Sequence, residues 1–401
     1  MKEFAAHNGN EIDLNNRPDV RVIHTLEELQ QIEQDWYGLL DLLGVRSPFL
    51  SPPWIALCAK YLAAGECMRI LSMWRGRDLL GLIPMMESSS RMRGFPVRQL
   101  RSLLNPLAGY SEILACEPQA FIEAVLDYLS AEGHWQIVTF DRIREGSSGL
   151  AALKEAVARR NRFTMHSEVS RTPYLEIQGT LEEFWSGKSA KFRKTRRSIS
   201  NRIEKLGGVR VECITGDGRE EAALQEFLEL SRKSWTRTEG RDLLAEDFER
   251  RFLEDLTKLA VQKGWLRFWF LRKEEELIAA EYHLRDGHTE YGLRAHYDPA
   301  YSYQSPGTFL DVSVVKRLFA DGCKVYDMGP GLVSYKAAWT TTAYACSSIS
   351  LFGPGVYAGF LGRLESEWIP AARKTSLGRW LASAKRPAAS AEPAAAVEEG
   401  E

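Results

Sequence analysis

Long hydrophobic runs are missing: no stretch of about 18 apolar residues occurs, which excludes a membrane-spanning helix. The opening segment, MKEFAAHNGNEIDLNN, lacks the apolar stretch of a secretory leader, so a cytoplasmic location is expected. Cysteine is scarce. The six (Cys58, Cys67, Cys116, Cys213, Cys323, Cys346) include no Cys-x-x-Cys pair and no His at metal spacing, so neither a metal site nor a disulfide framework is indicated. They are expected as small, buried apolar residues. Excess charge of one sign is also absent: a net charge of -2 with 26% charged residues argues against a generic polyanion binder and leaves only local patches. There is no Gly-x-Ser-x-Gly elbow and no Cys–His pair, so a covalent nucleophile is not expected.

What is present is ordinary globular material in quantity. With 401 residues, 44% of them hydrophobic, the chain exceeds a usual single domain and can fill two cores. Residues 1–19 are polar, Asn-rich and expected to be disordered. Residues 20–165 read as a first α/β unit: a strand at Val20–His24, and a helix opened by the Thr25/Glu28 capping box. A helix after Ser51-Pro-Pro, strands at Met68–Trp74, Leu79–Met86 and Val97–Leu103, a helix over 117–131, a strand at Gln136–Asp141 and a helix at Leu150–Arg160 follow. Residues 166–360 repeat the plan, with a strand at Tyr174–Gln178, a basic helix over Ser189–Leu206 and a strand at Val209–Ile214. Two helices (220–236, 246–263) then lead into a meander of Leu266–Leu271, Leu277–Leu284 and Thr289–Ala295 with tight polar turns. A helix at 361–380 and a low-complexity, disordered tail at 381–401 complete the expectation. The fold class is α/β, mixed sheets flanked by helices.

Three features could carry chemistry. The first is Gln304-Ser305-Pro306-Gly307-Thr308: Ser305 as N-cap, Pro306 at the first helical position and Gly307 allowing a ligand near the backbone make an anion-binding helix start. An ordinary strand-to-helix turn is the plain alternative. The second is KSAKFRKTRRSISNRIEK (188–205), eight cations and one acid on a helix whose apolar stripe is Phe192, Ile199, Ile203 and Leu206. Lys191, Arg193 and Arg197 are its candidate contacts to an anionic acceptor, a membrane surface or RNA; a merely solvated basic face is the alternative. The third is the set of acids and bases near the turn. Alternation puts Glu281 and His283 on one strand face and Tyr282 on the other. Asp327 ends an apolar strand before Gly-Pro-Gly, with the Tyr335-Lys336 pair following; Glu290 and His296 are reserves, and Asp298 before Pro299 reads as a turn former. Trp235, Trp265, Trp269 and Trp339 read as core or cleft wall.

Gln304 to Phe309 resembles a degenerate form of the Gln/Arg-x-x-Gly-x-Gly/Ala turn with which GNAT-superfamily N-acyltransferases hold the pyrophosphate of acyl-CoA, with Phe309 where that family has Gly or Ala. The stretch from Tyr297-Asp298-Pro299 through Tyr326-Asp327 to Tyr335-Lys336-x-x-Trp339 is similar to the GNAT-like domain of CelD-type cellulose-biosynthesis proteins. It is more distantly similar to Fem-type aminoacyltransferases, which also carry an Arg-rich segment like Lys191–Arg197. The resemblance implies two tandem GNAT-like domains, the first shaping the acceptor side and the second holding the donor. It implies acyl-CoA, acetyl-CoA above all, as co-substrate at residues 304–308, with no metal, and a small-molecule or lipid-linked sugar of a cell-envelope or exopolysaccharide precursor as acceptor. Asp327, Lys336 and Glu281 are the catalytic candidates, and Lys191, Arg193, Arg197 and Tyr335 the acceptor-binding ones. The basic helix is the point of any peripheral membrane contact. Nucleic acid enters only under a rival reading, aminoacyl transfer from tRNA; a catalytically silent scaffold of polysaccharide synthesis, suggested by Phe309, is the third.

Overall fold

The computed structural model describes residues 18–160, 163–234, 243–331 and 334–374. The first unit comprises β1 (Asp19–Ile23), α1 (Leu26–Gln31), α2 (Glu33–Leu42), α3 (Pro52–Lys60), β2 (Cys67–Arg75), β3 (Asp78–Met92), β4 (Phe95–Ser102), β5 (Leu114–Ala115), α4 (Pro118–Glu132), β6 (Ile137–Arg144) and α5 (Ser148–Arg160). The second runs β7 (Thr164–Glu176), α6 (Leu181–Ser186), α7 (Ala190–Glu204), β8 (Val209–Ile214), α8 (Glu220–Lys233), α9 (Leu243–Gln262), β9 (Leu266–Lys273), β10 (Glu276–Asp286) and β11 (Thr289–Tyr297). It closes with α10 (Pro306–Ala320), β12 (Val325–Asp327), α11 (Ser334–Ala337), β13 (Ala343–Phe352), α12 (Val356–Arg363) and α13 (Ile369–Lys374). The local signals act as expected. Thr25 and Glu28 form the capping box that opens α1, Thr180 and Glu183 form another at α6, and the 274–275 and 287–288 turns close the meander. The helix expected over 25–43 is interrupted at Ile32.

The thirteen strands among the described residues form one sheet, in the order β1-β2-β3-β4-β6-β13-β7-β12-β11-β10-β9-β8, with β5 paired to β3. β13 is the strand that joins the halves. It runs antiparallel to β6 on one side and to β7 on the other, and the sequence reading contains no strand there. β7 is longer than the Tyr174–Gln178 expected, because its stretch from Thr164 to Pro173 pairs with β13 and only its last three residues pair with β12.

Strands β9 and β10 are apolar almost throughout because both faces are covered. Phe268, Phe270, Ala280 and Tyr282 pack with α8, α9 and residues of the first unit's α2 and α3. Trp269, Leu271, Ile278 and Ala279 pack with α7 and α10. Neighbouring β11 and β12 run parallel only over Thr289↔Val325, Glu290↔Tyr326 and Tyr291↔Asp327. β12 then ends while β11 continues to Tyr297, so the sheet forks, and α10 begins at the end of the longer arm. The fork's apex is closed by backbone: at Gly329, with φ 76°, a Cβ would lie 2.5 Å from the Gly292 carbonyl oxygen, so only glycine fits.

Residues 1–17, Trp235, residues 375–380 and the 381–401 tail lie outside the described residues, while Asp19, expected within the disordered N-terminus, opens β1. The expectation for the cysteines holds at Cys58, Cys323 and Cys346; Cys67 is exposed at the start of β2.

Candidate functional site

Gln304, Ser305, Pro306, Gly307 and Thr308 lie together at the mouth of the fork, Gln304 ending a 3-10 turn and Pro306 opening α10. One detail corrects the sequence reading. Ser305 stands at the N-cap position but makes no side-chain cap; its backbone is left-handed (φ 56°, ψ 57°) and its Oγ faces α7, 3.5 Å from Arg202 Nη2. The first-turn N–H groups of α10 are therefore not taken by a capping side chain, which suits them to an external anion. Gly307 lies open, a Cβ there meeting nothing nearer than Tyr297 Cδ1 at 4.0 Å. Phe309 turns toward α7 and β8, where it lines a cavity of about 280 Å³ with Ile203, Gly207, Gly208 and Val209. Two buried polar atoms beside the turn, Gln304 Oε1 and Arg202 Nε, have no hydrogen-bond partner among the described residues. A pyrophosphate fits this set: backbone donors, a half-buried guanidinium and an open glycine.

Beneath α10 the face of β10 and β11 carries a buried charged trio. The expected alternation is observed: Tyr282 enters the core on the opposite face, reaching Thr257 Oγ1 at 3.1 Å, while Glu281 and His283 share the α10 face. His283 lies between two carboxylates, Nε2 2.9 Å from Glu281 Oε2 and Nδ1 3.1 Å from Glu290 Oε1. Burial alone would depress the imidazolium, but the hydrogen bonds and charges of Glu281 and Glu290 outweigh it and hold His283 at about 9. Glu290, fully buried, also accepts from Trp269 Nε1 at 2.8 Å.

At the apex, Asp327 and Lys336 both hold the Gly-Pro-Gly loop. Asp327 accepts from Gly329 N at 2.9 Å and from the Tyr344 hydroxyl of β13 at 2.7 Å, so each of its oxygens is engaged. Burial raises its carboxyl above the usual range, the Tyr344 and Gly329 hydrogen bonds pulling it back. Lys336 Nζ donates to Gly329 O and Pro330 O, both at 3.1 Å. Burial lowers it to about 8, against the pull of Asp327 and Asp311. It nonetheless stays mostly cationic at neutral pH. Tyr335 beside it is half exposed.

The basic helix α7 docks by Phe192, Ile199 and Ile203, as its stripe implies. Lys191, Arg193 and Arg197 are exposed on its outer side, away from the trio. Three cations of the run turn inward: Lys188 donates to the Trp339 carbonyl, Arg202 lies at the turn, and the Arg196 guanidinium lies 4.1 Å from the Phe192 ring centroid and 5.4 Å from that of Trp339. Sequence reading did not single out Arg196, since nothing in a run of eight cations marks the inward ones. It also missed Asp311, a carboxyl on the apolar face of α10 between Leu310 and Val312. The signal was there: a lone acid within an apolar stripe. Asp298 forms the expected turn, accepting from Ala300 N at 2.9 Å, and Trp265, Trp269 and Trp339 are buried.

Residues 190–337 match the family model described as an acetyltransferase (GNAT) domain, well under half of the chain. No curated protein matches. Among solved structures, the C-terminal domain of a putative lysylphosphatidylglycerol synthetase from Agrobacterium fabrum is similar at a TM-score of 0.53 and 12% identity, over 83% of this chain and 94% of that one. A conserved protein of unknown function from Bacteroides thetaiotaomicron is similar at 0.50 and 11%, over 83% of this chain and 100% of that one. A tandem GNAT protein from the clavulanic acid biosynthesis pathway reaches 0.48 and 11%, over 84% of this chain and 100% of that one. Residues 190–337 thus match a GNAT-type acetyltransferase domain, set in a mixed α/β fold whose described strands form one sheet flanked by helices.

Proposed function

We propose that the protein is an N-acyltransferase that moves an acyl group from acyl-CoA, acetyl-CoA in the simplest case, onto an amine of a sugar in a cell-envelope or exopolysaccharide precursor. The observation that carries this reading is the fork: β11 and β12 part beyond Tyr291 and Asp327, with an uncapped helix start at the mouth and a buried lysine at the apex. A pyrophosphate on the first turn of α10 would direct the thioester down the fork toward Lys336. There the ammonium opposes the negative charge that develops on the carbonyl oxygen during attack. Asp327 acts through the loop it caps, as a positioning residue for Lys336. Among the described residues no helix is long and apolar enough to cross a membrane. An acceptor carried on a lipid would have to be met at a surface, and the exposed cations of α7 suit that.

The test is thermal unfolding with acetyl-CoA, a longer acyl-CoA and aminoacyl-tRNA. A ligand at 100 times its dissociation constant should stabilise by about 2.7 kcal/mol. Acetyl-CoA should shift the wild type and leave Gly307→Val unshifted, because a side chain at Gly307 stands between the phosphates and the helix start. Response to aminoacyl-tRNA alone would replace the donor, and silence toward all three would leave a scaffold.

A further inference from the structure

Asp311 is 8% exposed and makes no hydrogen bond among the described residues. That is a costly way to bury a carboxyl on a helix face otherwise formed by Leu310, Val314, Val315 and Leu318. The groups that act on it are Glu281 and His283 of β10, Arg196 of α7 and Lys336 of α11, and all act through space. None of their donors makes a hydrogen bond to it, and Arg196 Nε is itself without a hydrogen-bond partner among the described residues. Lys336 Nζ is held by two carbonyl oxygens, His283 by two other carboxylates, and Arg196 lies over the rings of Phe192 and Trp339. The acceptor lone pairs of Asp311 are thus unfilled. An anionic guest would be repelled by Asp311 and Glu281. A guest that brings N–H donors and a positive charge restores what burial took away.

We propose that Asp311 is the residue that receives the acceptor's ammonium group and takes its proton, so that the acceptor is a primary amine bound as its cation. The chemical step rests on the acyl-CoA reading above; the ammonium site does not. The proton moves from nitrogen to the Asp311 carboxylate, and the freed lone pair forms the C–N bond to the thioester carbonyl. The C–S bond then breaks, and the thiolate takes the second proton lost by nitrogen, leaving amide and free CoA. Burial, reinforced by Glu281 and opposed by His283, Arg196 and Lys336, keeps the Asp311 carboxyl well above the usual range. It is thereby a stronger base than a surface carboxylate.

The experiment uses n-butylammonium chloride as probe, with 1-butanol plus matched sodium chloride as the uncharged control, read by thermal unfolding of the full chain. The expected result is a rise in the wild-type midpoint with the ammonium only. In Asp311→Asn that response is lost, while the ligand-free midpoint rises because an unpaired carboxyl has gone. With acetyl-CoA present, amine-dependent release of the CoA thiol falls by about 100-fold in Asp311→Asn and is partly regained in Asp311→Glu. An absent ammonium response in the wild type, an equal response in Asp311→Asn, or a ligand-free Asp311→Asn chain that is less stable or unfolded overturns the proposal. An intact ammonium response with silence toward acetyl-CoA supports the amine site while overturning the donor reading.

Discussion

His283 is charged because of its neighbours, and that makes its contribution to stability depend on pH in a definite direction. Its folded value of about 9 lies above the ordinary 6.5, so the stability it supplies is fully present below about pH 6.5 and is lost as pH rises through about 9. Lys336, lowered to about 8, runs the other way between there and its ordinary 10.5. The clean quantity is therefore the difference between wild type and His283→Gln. Removing the imidazolium leaves Glu281 and Glu290 facing a neutral group in the core, a loss of about 3–5 kcal/mol for a broken buried pair. In urea titrations that gap should be wide at pH 6 and narrow by pH 9.5. A gap of equal size at both values would mean that His283 is neutral in the folded protein. At this scale the sequence was partly legible. Strand alternation was enough to pair Glu281 with His283, but the third member, Glu290, stood only as a reserve, because its pairing depends on the register of β11 against β10. Asp311 needed the helix docked before its acid could be seen to face inward.

The elements themselves were largely legible, for reasons that differ among them. α7 declared itself by a narrow apolar stripe in a cationic sequence, and the meander by β-rich runs between polar turns. β13 did not, since its Ala-Cys-Ser-Ser-Ile-Ser core carries small residues on both faces and no strong alternation. Small residues there fit a strand packed between two others. The exposed cations of α7 give a prediction of their own. Replacing Lys191, Arg193, Lys194 and Arg197 with Gln removes four surface charges that carry no docking contact, so the unfolding midpoint should hardly change. Binding to vesicles containing anionic lipid, where each basic residue near the surface contributes about 1 kcal/mol, should fall steeply. The wild-type binding should weaken with added salt over the range in which the Debye length shortens. Co-sedimentation that is the same for variant and wild type at low salt would reduce these cations to a solvated face.

Across the whole molecule, the two units share more than a linker. One apolar cluster contains Trp36 and Trp54 of the first unit together with Phe252, Phe268 and Tyr282 of the second. Phe49 meets the Tyr291 ring at 5.1 Å, and the Tyr61 hydroxyl reaches Asp255 at 2.7 Å. The chain closes this arrangement late. β13, near the end of the described residues, buries Ile349, Leu351 and Phe352 among first-unit residues and supplies Tyr344 to Asp327 at the fork. At about 1.5–3 kcal/mol for each fully buried large apolar side chain, those three alone approach the net stability of a typical domain. The units should therefore unfold together. Calorimetry of the full chain should give a single transition whose van't Hoff and calorimetric enthalpies agree, and a chain ending at Thr342 should show no cooperative transition in either half. Two resolved transitions, or a truncated chain whose first unit still melts cooperatively, would show that the continuous sheet is an assembly of independent halves. In that case the contact between Tyr344 and Asp327 could not hold the fork in place.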